Sequence, residues 1–126
     1  MAVKYKMVPK KNNLVPPHVV KFYPCAVSQG EVNLDDLAKI IADRSTMSAA
    51  DCHGVIRALT DVIGETLSNG KIVKIDNLGT FTLTLLGTGA ESDEPIGKSN
   101  IKEAKVRFQP AKHIKSYLKV LTYKRV

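Results

Sequence analysis

Few side chains in this sequence are of types that do covalent or metal chemistry, and their spacing keeps them apart. Cys25, Cys52, His18, His53 and His113 share no ligand spacing that would gather a metal ion. Cys52 and His53 are neighbours on a predicted helix and therefore point in different directions. Gly87-Thr88-Gly89 has the G-x-G form, but an acidic loop follows it. A phosphate cradle needs a helix N-terminus there, with its oriented N–H groups. Asp93 and Glu94 are adjacent carboxylates in a long polar segment, a poor frame for acid/base work. The reading is a protein without a catalytic centre, metal, cofactor or small-molecule substrate.

Cations are a different matter. Lys102, Lys105 and Arg107 lie along one predicted strand, the last two on the face opposite Val106 and Phe108. Lys112, Lys115 and Lys119 follow at i, i+3 and i+7, one stripe of a predicted helix. A solvated charged face is the plain alternative. Interleaved acids would be expected if solubility alone were served, and residues 101–126 hold eight Lys+Arg against Glu103 alone. That imbalance favours a polyanion partner.

The whole chain supports the same contrast. It has 126 residues, a formal net charge of +7, 44% apolar and 25% charged residues, ordinary globular values for one domain or a domain with an appendage. Residues 1–30 hold five Lys and no acids, residues 31–68 three basic against seven acidic, and residues 69–100 three against four. An acidic middle is thus flanked by basic ends. No stretch approaches the ~18 apolar residues of a membrane span, and the N-terminus is too polar for a signal peptide. The expectation is a cytoplasmic protein with Cys25 and Cys52 as reduced thiols.

The elements that would carry these groups are legible. Residues 1–30 read as an N-terminal extension: Val3, Tyr5 and Met7 alternate with Lys4 and Lys6 as a short strand, prolines interrupt, and Val19 to Tyr23 forms a second run ending at Pro24. Residues 33–69 read as a helical hairpin. Asn33 with Asp36, and Ser48 with Asp51, are N-cap pairs, and Asn69-Gly70 is the stop. After Gly70 the period changes to two. Ile72 to Ile75 is a strand, Asp76 to Gly79 its turn, and Thr80 to Leu85 alternates Phe81, Leu83 and Leu85 with threonines. Residues 101–108 form the partner strand, closing an arm with residues 87–100 at its tip. Pro110 can start a short helix whose Ile114, Leu118 and Tyr117 would pack inward, and Val120 to Tyr123 reads as a last strand. Pro95, near the arm's tip, is either a turn proline or an apolar wedge between base pairs. The fold class is α+β: a helical hairpin plus antiparallel sheet with a protruding two-stranded arm.

The order of these pieces resembles the bacterial histone-like HU / integration host factor family. The likeness is carried by Ile75-Asp76-Asn77-Leu78-Gly79-Thr80-Phe81, then an arm with a proline, then Val106-Arg107-Phe108-Gln109-Pro110-Ala111-Lys112-His113-Ile114-Lys115. It covers about residues 31–119 and is similar to HU-related proteins of Bacteroidetes with an N-terminal extension. The resemblance implies an intertwined homodimer whose arms wrap the DNA minor groove and bend the duplex, a nucleoid-associated role with little base readout. It implies a DNA-binding set of Lys98, Lys102, Lys105, Arg107, Lys112 and Lys115, with Pro95 near the family's intercalating proline.

The sequence also departs from the family. Asp93-Glu94 stand where Arg-Asn is usual, the Phe81-to-Phe108 interval is several residues shorter, and Gln109 replaces a common Lys. An acidic tip is repelled by phosphates, so an HU-fold interaction protein with weakened DNA binding is the second reading. The expected division is residues 1–30 as extension and 31–126 as the HU-like domain. The outer strands at Val3/Tyr5/Met7 and Val120–Tyr123 are candidates to pair with each other.

Overall fold

The computed structural model of the chain describes residues 2–11, 19–89 and 100–126. It divides into two compact units, one of residues 1–33 with 117–126 and one of residues 34–116. The last ten residues thus cluster with the extension, whereas the sequence pattern alone groups them with the HU-like part.

In the second unit, helix α1 (Leu34–Asp43) and helix α2 (Ala49–Ser68) form the expected hairpin. Ser48 is the N-cap of α2, and its Oγ accepts from the Asp51 N–H at 3.1 Å, an interaction worth about 1 kcal/mol. At the far end the Lys71 N–H donates to the Thr66 carbonyl and the Gly70 N–H to the Leu67 carbonyl. Gly70 has φ +77. This is a Schellman stop, whose left-handed residue is a glycine because no Cβ has to be accommodated.

The second sheet has the order β3 (Val73–Ile75), β4 (Gly79–Gly87), β5 (Ile101–Pro110). Both of its pairings are antiparallel. The β3–β4 turn needs a left-handed Asn77 (φ 72) and a buried Gly79 at φ +154. A Cβ on Gly79 would lie 2.5 Å from the Gln109 carbonyl oxygen and 2.6 Å from the Phe108 ring. Phe81 and Phe108 are register partners with ring centroids 4.9 Å apart, a cross-strand aromatic pair worth about 0.5–1.5 kcal/mol beyond its buried area. Past that pair β4 has no described neighbour but β5. Residues 82–87 with 101–107 are therefore the two-stranded ribbon expected from the sequence.

In the first unit β1 (Ala2–Lys11) is the central strand of a sheet ordered β2 (Val20–Ala26), β1, β6 (Thr122–Arg125). It pairs antiparallel with β2 and parallel with β6, so the suggested pairing of the outer strands is present. Both β1 and β2 run through a proline, further than expected from the sequence. Proline cannot donate to a ladder and is confined to unpaired edges. Pro24 lies on the edge strand β2, and Pro9 lies beyond Tyr5, where β6 stops.

The core is small. Among the described residues only Ala38, Cys52 and Leu67 are buried apolar side chains, while Leu37, Ile40, Ile41, Val55, Leu59 and Val62 stay exposed along the two helices. Ile114, Tyr117 and Leu118, expected to pack inward, are exposed as well. They fall on a five-residue helix α3 (Lys112–Ser116) and a following 3-10 turn (Tyr117–Val120), too short to carry one inward stripe.

Candidate nucleic-acid interface

Strand alternation sorts the ribbon's side chains. Register pairs Phe81 with Phe108, Leu83 with Val106 and Leu85 with Ala104, which makes one apolar face. The other face pairs Thr80 with Gln109, Thr82 with Arg107 and Thr84 with Lys105. Lys74 of β3 joins it, opposite Thr80. Three cations, Lys74, Lys105 and Arg107, thus share a floor of threonine hydroxyls, and all three are exposed. Hydroxyls and cations in alternation suit phosphate oxygens, which accept from both.

Of the residues singled out from sequence, Lys105 and Arg107 come together as expected. Lys102 does not join them. The register passes from Leu86–Glu103 to Gly87–Ile101, leaving Lys102 as the extra residue of a bulge without a ladder partner. Lys112 and Lys115 lie on α3, held to the sheet through the Ala111 N–H, which donates to the Leu78 carbonyl at 3.0 Å. Lys119 falls in the 3-10 turn, so the three-lysine stripe is broken after Lys115. Pro95 and Lys98 lie outside the described residues, as do Asp93 and Glu94. Lys74 was missed by sequence reasoning, although its place between Val73 and Ile75 is the signal that puts it on the polar face.

One acid intrudes. The Glu103 carboxylate pairs with Lys105 Nζ at 3.7 Å, with both side chains more than half exposed. Such a pair is worth between 0 and about 1 kcal/mol, so a phosphate can displace it. At the base of the arm's tip the Thr88 N–H donates to the Asn100 carbonyl, and Asn100 Nδ2 donates to Thr88 Oγ1 at 3.1 Å. These bonds tie Asn100 to the Gly87-Thr88-Gly89 segment, and no helix N-terminus adjoins it among the described residues. Elsewhere Cys25 and Cys52 are free thiols, and His53 pairs with Asp35 at 3.3 Å. Among the described residues no group of His, Cys, Asp and Glu could hold a metal, and no helix is long and apolar enough to cross a membrane.

A helical hairpin beside a short antiparallel sheet, with two strands running on as a cation-faced ribbon, defines the HU class of fold. Residues 1–125 match the family described as "HU domain fused to wHTH, Ig, or Glycine-rich motif", and the chain belongs to that HU-HIG family. HU-family proteins are non-enzymatic DNA-binding proteins. Among solved structures, the chain is similar to a "Putative bacterial DNA binding protein" of Bacteroides vulgatus, at 12% identity and a TM-score of 0.66. That match covers 99% of this chain and 48% of the other, so this chain spans about half its length. The chain is also similar to the HU of an Anabaena HU–DNA cocrystal, at 20% identity and a TM-score of 0.54, over 70% of this chain and 98% of that one. No curated protein matches the sequence.

Proposed function

We propose that the protein is an architectural binder of double-stranded DNA, acting as a homodimer, gripping phosphates with little base preference and bending or compacting the duplex. The observation that carries this reading is the threonine face of the ribbon, where Lys74, Lys105 and Arg107 stand together, with Lys112 and Lys115 on the helix that follows. A groove of the duplex admits a two-stranded ribbon, and a cation row on one needs no base-specific donor set to bind phosphates.

The dimer is supported by the thinness of the single-chain core. The three buried apolar residues among the described ones do not offset the ordering of more than a hundred residues. The exposed stripe from Leu37 to Ile41 and from Val55 to Val62 is the apolar area a second copy would cover.

The second reading, an HU-fold protein with weakened DNA binding, gains an observation beyond the acidic Asp93-Glu94 pair and the shortened Phe81-to-Phe108 interval. Residues 34–116 carry eleven Lys+Arg and eleven Asp+Glu, no net charge.

The test is fluorescence anisotropy of a labelled duplex of about 30 base pairs across a salt series, with an end-labelled energy-transfer pair to register bending. A slope of log affinity on log salt of about −4 or steeper corresponds to four to five neutralised phosphates and is the expected result. Absence of binding at about 50 mM salt, from protein shown to be folded, would sink the proposal.

A further inference from the structure

The net charge is not where the HU-like fold is. Residues 34–116 are neutral, whereas residues 1–33 with 117–126 hold eight Lys+Arg against Glu31 alone, the whole +7 of the chain. The sheet of that first unit is two-faced. Register places Val3, Tyr5, Met7, Phe22, Pro24 and Tyr123 on one side, which also carries Lys11 and Arg125. The other side carries Lys4, Lys6 and Lys10 of β1, Lys21 of β2 and Lys124 of β6, interleaved with Val8, Tyr23 and Cys25 and with no acid among them.

The arrangement on that side costs stability. Lys10 is the direct register partner of Lys21, and Lys4 of Lys124. Like charges directly opposite across a ladder are destabilising. Among the described residues none of the five is in an ion pair. Lys10 Nζ lies 5.7 Å from the centre of the Tyr23 ring, and four of the five lysines are exposed. A solvated face needs no such stacking of like charge, because glutamate at any of these positions would relieve it. An anion with repeated charges relieves all of it at once. Lys4 to Lys10 spans about 20 Å of strand, the axial rise of about six phosphates along one strand of a duplex.

We infer that the lysine face of this appended sheet is a second phosphate-binding surface for duplex DNA, made of residues other than those of the β4–β5 ribbon. This rests on the reading of the chain as a DNA binder. The second surface carries five of the eight Lys+Arg that lie outside residues 34–116.

The experiment uses the full chain, the same anisotropy and salt series, and three variants checked by circular dichroism. The first replaces Lys4, Lys6, Lys10, Lys21 and Lys124 with Gln, the second replaces the same five with Arg, and the third carries Lys105→Gln, Arg107→Gln, Lys112→Gln and Lys115→Gln. The Gln variant of the sheet is expected to show a salt slope shallower by about 2 to 4.5, at about 0.9 per lost phosphate contact, with the Arg variant like wild type. Should five substitutions disturb folding, Lys10→Gln with Lys21→Gln alone is expected to flatten the slope by about 1 to 2.

An unchanged slope in the sheet variants, beside a flattened one in the ribbon variant, overturns this inference and leaves the ribbon reading standing. The converse pattern supports the sheet and removes the ribbon. Absence of duplex binding by the wild type overturns both. A face that instead loses binding to phosphatidylserine vesicles, with the DNA slope unchanged, belongs to a membrane surface, and the inference fails.

Discussion

Val3 of β1 and Tyr123 of β6 are register partners in a parallel pair, so segments from the two ends of the sequence build one sheet. The Val126 N–H also donates to the Tyr5 carbonyl at 3.0 Å, and β1 cannot be satisfied on both sides without β6.

Removing residues 121–126 should therefore loosen the first unit selectively. A two-stranded sheet is marginal in water, so amides of β1 and β2 are expected to lose hydrogen-exchange protection while those of α2 keep theirs. Equal loss of protection in α2 would show that the two units do not stand independently.

Gly79 should be irreplaceable. Ala there must adopt φ +154 and push its Cβ into the Phe108 ring and the Gln109 carbonyl. Strain of this kind costs about 1–3 kcal/mol before the clash is counted, and the urea midpoint should fall accordingly. Gly64 is the control. It lies inside α2, and a methyl group added there would meet nothing within 4 Å. Gly64→Ala is therefore expected to raise stability by about 0.5–1 kcal/mol.

Val62→Asp should separate the protomers. Val62 is 55% exposed in the single chain and lies on the same helix as Val55 and Leu59. A carboxylate there would be buried without a partner in the proposed dimer. Sedimentation equilibrium is expected to show a dimer for wild type and a monomer for the variant. The wild-type unfolding midpoint should rise with protein concentration. A wild-type chain that stays monomeric at all concentrations would refute the dimer.

Lys21→Glu should trade binding for stability. It turns the Lys10–Lys21 repulsion into an opposite-charge cross-strand pair, a change of about 0.2–1 kcal/mol in the sheet's favour. Thermal unfolding should move up while the affinity for duplex DNA falls. A variant less stable than wild type would mean that the two lysines do not repel.

The parts of this protein that were readable from the sequence are those set by neighbours in the chain. The second helix of the hairpin follows from Ser48, Asp51 and Gly70, each acting within a turn of its partner. The alternation of Phe81, Leu83 and Leu85 with threonines needs only the pleat. By contrast, the displacement of Lys102 comes from a bulge, which depends on how many residues the opposite strand supplies. The outward Tyr117 and Leu118 follow from the early end of α3 at Ser116.

By itself the sequence determined the element types and the cation-rich strand carrying Lys105 and Arg107, because period, capping and charge are local properties. Only the tertiary structure decided that Lys74 shares the ribbon's polar face, and that Lys4 meets Lys124 and Lys10 meets Lys21. Those are statements of strand register, and register is set by hydrogen-bonded ladders between residues far apart in the chain. A lysine's neighbours across a sheet cannot be read from its neighbours along it.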